Sequence, residues 1–177
     1  MITVKEYSDY FESLCENHPL LLHAKESGSQ VFLPISIDQA IGSFRSGIKA
    51  KDYFFRVILY TGFMEEVASD PRKNLQCGFI IGKYHRQDYD SYLTALSDSE
   101  KVLGDFVARM VKDSNDGHPL FSYSINTVAD IQFLPTEYTG DQNYSGYICT
   151  FVIRPRFDQC VEGNLGPGWL DLIVEEQ

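Results

Sequence analysis

"LQCGFIIGKYH", residues Leu75–His85, is the stretch on which the fold turns. Its middle, Phe79-Ile80-Ile81, is apolar at consecutive positions, and Gly78 and Gly82 bracket it. A short apolar run between small residues suits a strand buried on both faces better than an amphipathic helix. The segment "YFFRVILY" (Tyr53–Tyr60) has the same character, with Arg56 its only charged residue. Two such runs predict a sheet with covered central strands. Between them lies "TGFMEEVASDPRKN", which reads as a long insert with a proline and a basic tip. An insert of that length between strands points to function or mobility rather than filler.

Working outward, "VFLPIS" (31–36) is strand-like, and Pro34, which cannot donate to a ladder, places it at an edge. "IDQAIGSFRSGIKAKD" has Ile37, Ile41, Phe44 and Ile48 at helical spacing, diluted by Gly42 and Gly47, and reads as a loop or weak turn of helix. At the N-terminus Val4, Tyr7, Phe11 and Leu14 form a helical stripe. Thr3 and Glu6 match a capping box, and Asn17-His18-Pro19 is a stop. A longer helix is predicted in "SDSEKVLGDFVARMVKDSNDG". Leu103, Phe106, Val107 and Met110 are its stripe, Ser97–Glu100 its capping box, and Gly117-His118-Pro119 its end. The upstream "SYLTAL" is either a separate turn or the start of the same helix.

The last third alternates. "FSYSINTVADIQFLPTEY" and "NYSGYICTFVIRPRF", joined by a Gly- and Asp-containing turn, predict an antiparallel hairpin with Tyr147, Cys149, Phe151 and Ile153 on one face. In the tail, Trp169, Leu170 and Leu172 are expected to dock on the body. The His-Pro-Leu triplets at 18–20 and 118–120 share no flanking sequence, and no internal repeat is evident. The expectation is one α+β domain over residues 1–177. An antiparallel or mixed β-sheet is packed by an N-terminal helix and a long central helix.

Bulk properties narrow the function. The chain has 177 residues, 44% of them hydrophobic, enough for a sizeable core. A formal charge of −10 argues against binding a phosphate backbone. Residues 27–87 nevertheless hold eight Lys/Arg against five Asp/Glu. Charge divided in this way suits complementary patches on a self-associating subunit as well as an ordinary solvated surface. Cys15, Cys77, Cys149 and Cys160 form no CxxC pair and no zinc spacing, so reduced thiols in a cytosolic setting are expected, with Cys149 in the core. No secretory signal and no apolar run of membrane length is present.

No motif fixes a chemistry. There is no GxSxG elbow and no GxGxxG; "GFIIGK" lacks the upstream glycine and the following Ser/Thr of a phosphate loop. His85, Asp88 and Asp90 invite a metal, but Lys83 shares the strand face of His85 and its ammonium opposes a cation. Their simpler reading is a solvated strand end, with Asp90 or Ser91 capping the next helix. Glu65-Glu66 and Asp88/Asp90 read as surface carboxylates, and the aromatics beside Arg45, Lys49, Lys51 and Arg56 belong to a buried strand. We therefore expect no catalytic residue, cofactor or metal. Arg45, Lys49, Lys51, Arg72, Lys73, His85 and Arg86 are the expected interaction surface.

The order of these signals resembles small α+β proteins of phages and prophages of gut Bacteroidetes, of the tail-completion or neck class. That class is related in architecture to tail terminators and head–tail connectors. The resemblance rests on the N-terminal amphipathic helix, "GFIIGKY" running into "DYDSY", "EKVLGDFVARMVKD", "NYSGYICTFVI" and a Trp near the end. It spans most of the chain as a pattern, without an invariant motif. It implies a structural subunit of a homo-oligomeric ring, made in the host cytoplasm and carried into the virion of an active phage. Its partners would be further copies of itself and tail or neck proteins, and the 61–74 insert would reach a neighbour. Two other readings stand beside it. One is a small cytosolic enzyme or ligand-binding domain with a pocket between sheet and helix. The other is an acidic regulatory protein that binds a basic partner.

Overall fold

The computed structural model describes residues 2–21, 31–36, 38, 52–67, 70–121, 131–138 and 143–153, with the backbone alone at 63–67, 70–73 and 138. The elements are α1 (Val4–Asn17), β1 (Phe32–Ile35), β2 (Tyr53–Val67), β3 (Asp70–His85), α2 (Tyr89–Asn115), β4 (Gln132–Tyr138) and β5 (Asn143–Ile153). The strands form one five-stranded sheet in the order β1-β2-β3-β5-β4. Only β1–β2 is parallel, and the other three pairings are antiparallel. The sheet is therefore mixed, and with its two helices the fold is α+β.

β1 and β4 are the outermost strands, and each contains a proline: Pro34 and Pro135. The edge position predicted from Pro34 is what the sheet order shows. β3 lies in the middle and uses both sides of its backbone, with Phe79 opposite Val57 on β2 and Cys149 on β5. The predicted β4–β5 hairpin is present, with Tyr138 paired to Tyr144. Expectations for Ile37–Ile48 and for the Trp169 tail lie outside the described residues, apart from single positions.

Alternation sorts the sheet into two faces. On one, Phe55, Phe79 and Phe151 meet Phe11 of α1, and Phe55 and Phe79 also meet Phe106 of α2. The Phe55 ring lies 4.7 Å from Phe106 and 5.1 Å from Phe79. Tyr147, Cys149, Phe151 and Ile153 all join this core, as their spacing predicts. On the other face Ile35, Phe54, Ile80 and Tyr144 form a second, smaller cluster. A row of small residues makes room for it. Phe54 is paired with Gly82, and Gly82 with Gly146. A Cβ on Gly82 would lie 2.4 Å from the Phe54 ring, and one on Gly146 would lie 1.9 Å from the Ile81 carbonyl oxygen. The glycine that gave "GFIIGK" its faint phosphate-loop look is thus the seat of an aromatic ring.

The helices differ from expectation in instructive ways. In α1 the capping box forms, with Thr3 Oγ1 accepting from Glu6 N–H and Glu6 Oε2 accepting from Thr3 N–H. Its buried face is Tyr7, Tyr10, Phe11 and Cys15, however, while Val4 is exposed. Tyr7 explains the shift. Its hydroxyl both donates to and accepts from the Gly78 backbone at 3.2 Å, which fixes the helix on β3. α2 starts at Tyr89, not at Ser97. Asp88 caps it, its carboxylate accepting from Ser91 N–H at 2.8 Å. "SYLTAL" is the first part of this one 27-residue helix, so the Ser97–Glu100 pattern sits in its interior. There Ser99 donates to the Ser145 carbonyl at 3.1 Å, and Asp98 pairs with Lys83.

The two His-Pro-Leu triplets turn out to be equivalent. Each follows a helix, and in each the histidine Nδ1 accepts a backbone N–H two residues on at 3.2 Å. Each histidine carbonyl also accepts from the residue three on, Leu21 or Phe121, and both of these are buried. The sequence hides this because the match is of local hydrogen bonding, not of neighbours. The helices pack antiparallel, so that His18 reaches Phe106 and Asp105 of α2 while His118 reaches Tyr10 of α1.

Candidate functional site

The expected insert between Tyr60 and Leu75 is not a loop. β2 and β3 continue through it as a two-stranded ribbon, paired from Thr61↔Gln76 to Val67↔Asp70. A register shift between Ile58 and Thr61 marks where it leaves the body. This is the bulge geometry that bends a strand and strengthens its twist. β1 pairs no further than Ile58, and β5 no further than Leu75. Beyond those rows the ribbon has no third strand among the described residues. In the ribbon Arg72 is registered opposite Glu65. Of the expected interaction surface, Arg72 and Lys73 thus sit within the paired ribbon. Arg45, Lys49 and Lys51 lie outside the described residues.

His85 corrects the other part of that surface. It is only 7% exposed, whereas Arg86 is exposed. The strand end at His85 is therefore not solvated. Phe79, Ile81, Lys83 and His85 share one face by alternation, and α2 covers that face to its end. Parity was the signal available in the sequence. The solvated-end reading missed it because the cap of α2 is Asp88, nine residues before the apparent cap Ser97.

Around His85 the end of β3 and the first turns of α2 enclose an open cleft of about 410 Å³, lined among others by Lys83, Arg86, Asp88, Ser91 and Ala95. His85 Nδ1 lies 2.6 Å from the Arg86 carbonyl oxygen, while its Nε2 is buried without a hydrogen-bond partner. Leaving such a group unpaired costs about 1–3 kcal/mol. The Asp88 carboxylate is held below its usual range by hydrogen bonds from the Ser91 backbone and hydroxyl. Lys83 Nζ lies 2.6 Å from Asp98, and the contact raises the ammonium and lowers the carboxylate. Tyr84, Tyr89 and Leu93 stand exposed nearby.

Elsewhere among the described residues several buried ionisable groups serve the packing. Cys15, Cys77 and Cys149 are buried free thiols, and burial pushes Cys77 and Cys149 up to about 12, the wrong direction for a nucleophile. Arg56 is buried and pulled down to about 10 by desolvation. Its guanidinium donates to the Val31 and Phe55 carbonyls and lies over the Phe54 ring. It therefore ties the entry of β1 to β2. Asp113 accepts from Tyr10 and Arg109, joining the two helices. Among the described residues no three His, Cys, Asp or Glu converge as metal ligands, and no helix is long and apolar enough to cross a membrane. No family model matches the chain, and no curated protein or solved structure matches it significantly. Fold and site together define a mixed-sheet α+β protein with a paired β-ribbon and a polar cleft beside His85.

Proposed function

We propose that this chain is a structural assembly subunit of a phage or prophage particle, of the tail-terminator or head–tail connector class. It acts by self-association and by contacts with tail or neck proteins, and not by catalysis. The β2–β3 ribbon carries this reading. Five rows of it, Phe63↔Asn74 to Val67↔Asp70, extend past the flanking strands among the described residues. At about 3.3 Å per residue that is roughly 17 Å of paired backbone. Open strand edges recruit other strands, and a head-to-tail contact of one copy with the next closes a ring when the rotation allows. The resemblance in signal order to tail-completion proteins supports the same assignment. Synthesis would be in the host cytoplasm, with the subunit passing into the virion.

The test is the mass of the full chain in solution and on isolated tail tubes, alongside a variant whose residues 65–72 are replaced by an Asn-Gly turn. Uniform rings, alone or on tubes, are expected for the natural chain, with loss of assembly and an unchanged fold in the short variant. A natural chain that stays monomeric in both settings overturns the proposal. The ligand-binding alternative is favoured by one observation, the open cleft of about 410 Å³ between the end of β3 and the first turns of α2.

A further inference from the structure

Against the expectation of no internal repeat, the equivalent His-Pro-Leu turns have a companion. Phe-Leu-Pro also occurs twice, at 32–34 and 133–135, which places it 14 and 15 positions after His18 and His118. Each unit runs from a helix through its turn to an outermost strand, α1 to β1 and α2 to β4. Register makes the match spatial. Leu33, Arg56, Ile80, Ile148 and Leu134 form one row across the sheet, with Ile80 at its centre. The row that starts at Phe32 ends at Pro135, and the row that starts at Pro34 ends at Phe133. A half-turn about the sheet normal at Ile80 therefore lays one Phe-Leu-Pro on the other. The antiparallel helices, each reached by the histidine that follows the other, obey the same rotation. The relation ends there, because β1 pairs parallel with β2 and β4 antiparallel with β5.

We propose, on the reading of this chain as an assembly subunit, that β1 and β4 are two copies of one contact surface and that its partner is a second copy of the chain. Leu33, Pro34, Phe133, Leu134 and Pro135 are exposed on these edges, and no described strand covers their outer sides. β1 and β4 run in opposite directions, so the β4 edge of one copy lies antiparallel to the β1 edge of the next. With the rows continued, Leu134 meets Leu33 and Phe133 meets Pro34. The half-turn gives the same contacts to β1 against β1 and to β4 against β4. Pro34 and Pro135 each withhold an N–H, so side chains rather than a continuous ladder hold the contact. A subunit with two such edges does not stop at a dimer but adds further copies, into a ring or a filament.

The mass of the full chain is followed by sedimentation from about 10 μM to about 1 mM, a range that populates even a millimolar contact. The natural chain should grow past the dimer. Leu33→Asp and Leu134→Asp each place a charge at an exposed position, so melting temperatures should hold. Each single variant keeps one sound edge and should stop at the dimer, and the double variant should stay monomeric. Should an Asp variant fail to fold, Leu33→Thr and Leu134→Thr, which suit a strand, decide in the same way. A natural chain that stops at monomer or dimer overturns the proposal, although rings on tail tubes would then still support the assembly reading. A monomeric single variant overturns it too, since the two edges then differ. A double variant that assembles like the natural chain also overturns it, and leaves the ribbon contact standing.

Discussion

β3 is one strand in two environments. From Leu75 to Lys83 it is paired with β2 on one side and β5 on the other; from Asp70 to Asn74 it is paired, among the described residues, with β2 alone. The inner half holds Phe79, Ile80 and Ile81, each fully buried, and glycines that side chains or backbone press against. The outer half holds Pro71, Arg72 and Lys73, and a proline there removes no hydrogen bond from a third strand. Identical backbone geometry therefore asks opposite things of sequence. In the body the side chain must fit, whereas in the ribbon it need only keep the pair registered and soluble.

Substitutions along and beside β3 test that contrast. Phe79→Ala removes a ring shared by Phe11, Phe55, Phe106 and Phe151. Urea unfolding should show a loss of about 3–5 kcal/mol. Gly146→Ala drives a methyl into the Ile81 carbonyl, where the backbone itself must move. A loss of about 2–3 kcal/mol is expected, and a neutral outcome would mean that the two central strands are not this close. Asp98→Asn removes the partner of Lys83 in a half-open site, so about 0.5–1 kcal/mol is expected at neutral pH. The sign with pH follows from the depressed carboxylate. Its contribution is full above the usual Asp value and is lost as pH falls through the folded-state one, so variant and natural chain should converge in acid. Arg72→Ala, in the ribbon, should stay within about 0.5 kcal/mol. A large loss there would show that the ribbon is part of the body.

Much of this was legible locally. Thr3 and Glu6 announce the start of α1, Pro34 announces an edge, and the alternation of Tyr147, Cys149, Phe151 and Ile153 announces the core face of β5. Ser97–Glu100 carries the same cap pattern as Thr3–Glu6 and means nothing of the kind. A capping box works only where the chain enters from a non-helical conformation, and α2 is already running, with Ala95 and Ser99 buried. The long insert was not read as a ribbon because charge and Pro71 mark ribbons and loops alike. Only backbone pairing tells them apart.

The sequence by itself determined the kinds of element and their polarity of burial. Alternation, capping and proline chemistry act between residues a few positions apart, so they can be read along the chain. The tertiary structure decided the order β1-β2-β3-β5-β4, the extension of α2 back to Tyr89, and the burial of His85. These rest on contacts such as Tyr7 with Gly78 and Ser99 with Ser145, separated by 71 and 46 residues. Nothing short-range encodes such contacts, because each exists only once the sheet has brought its partner near.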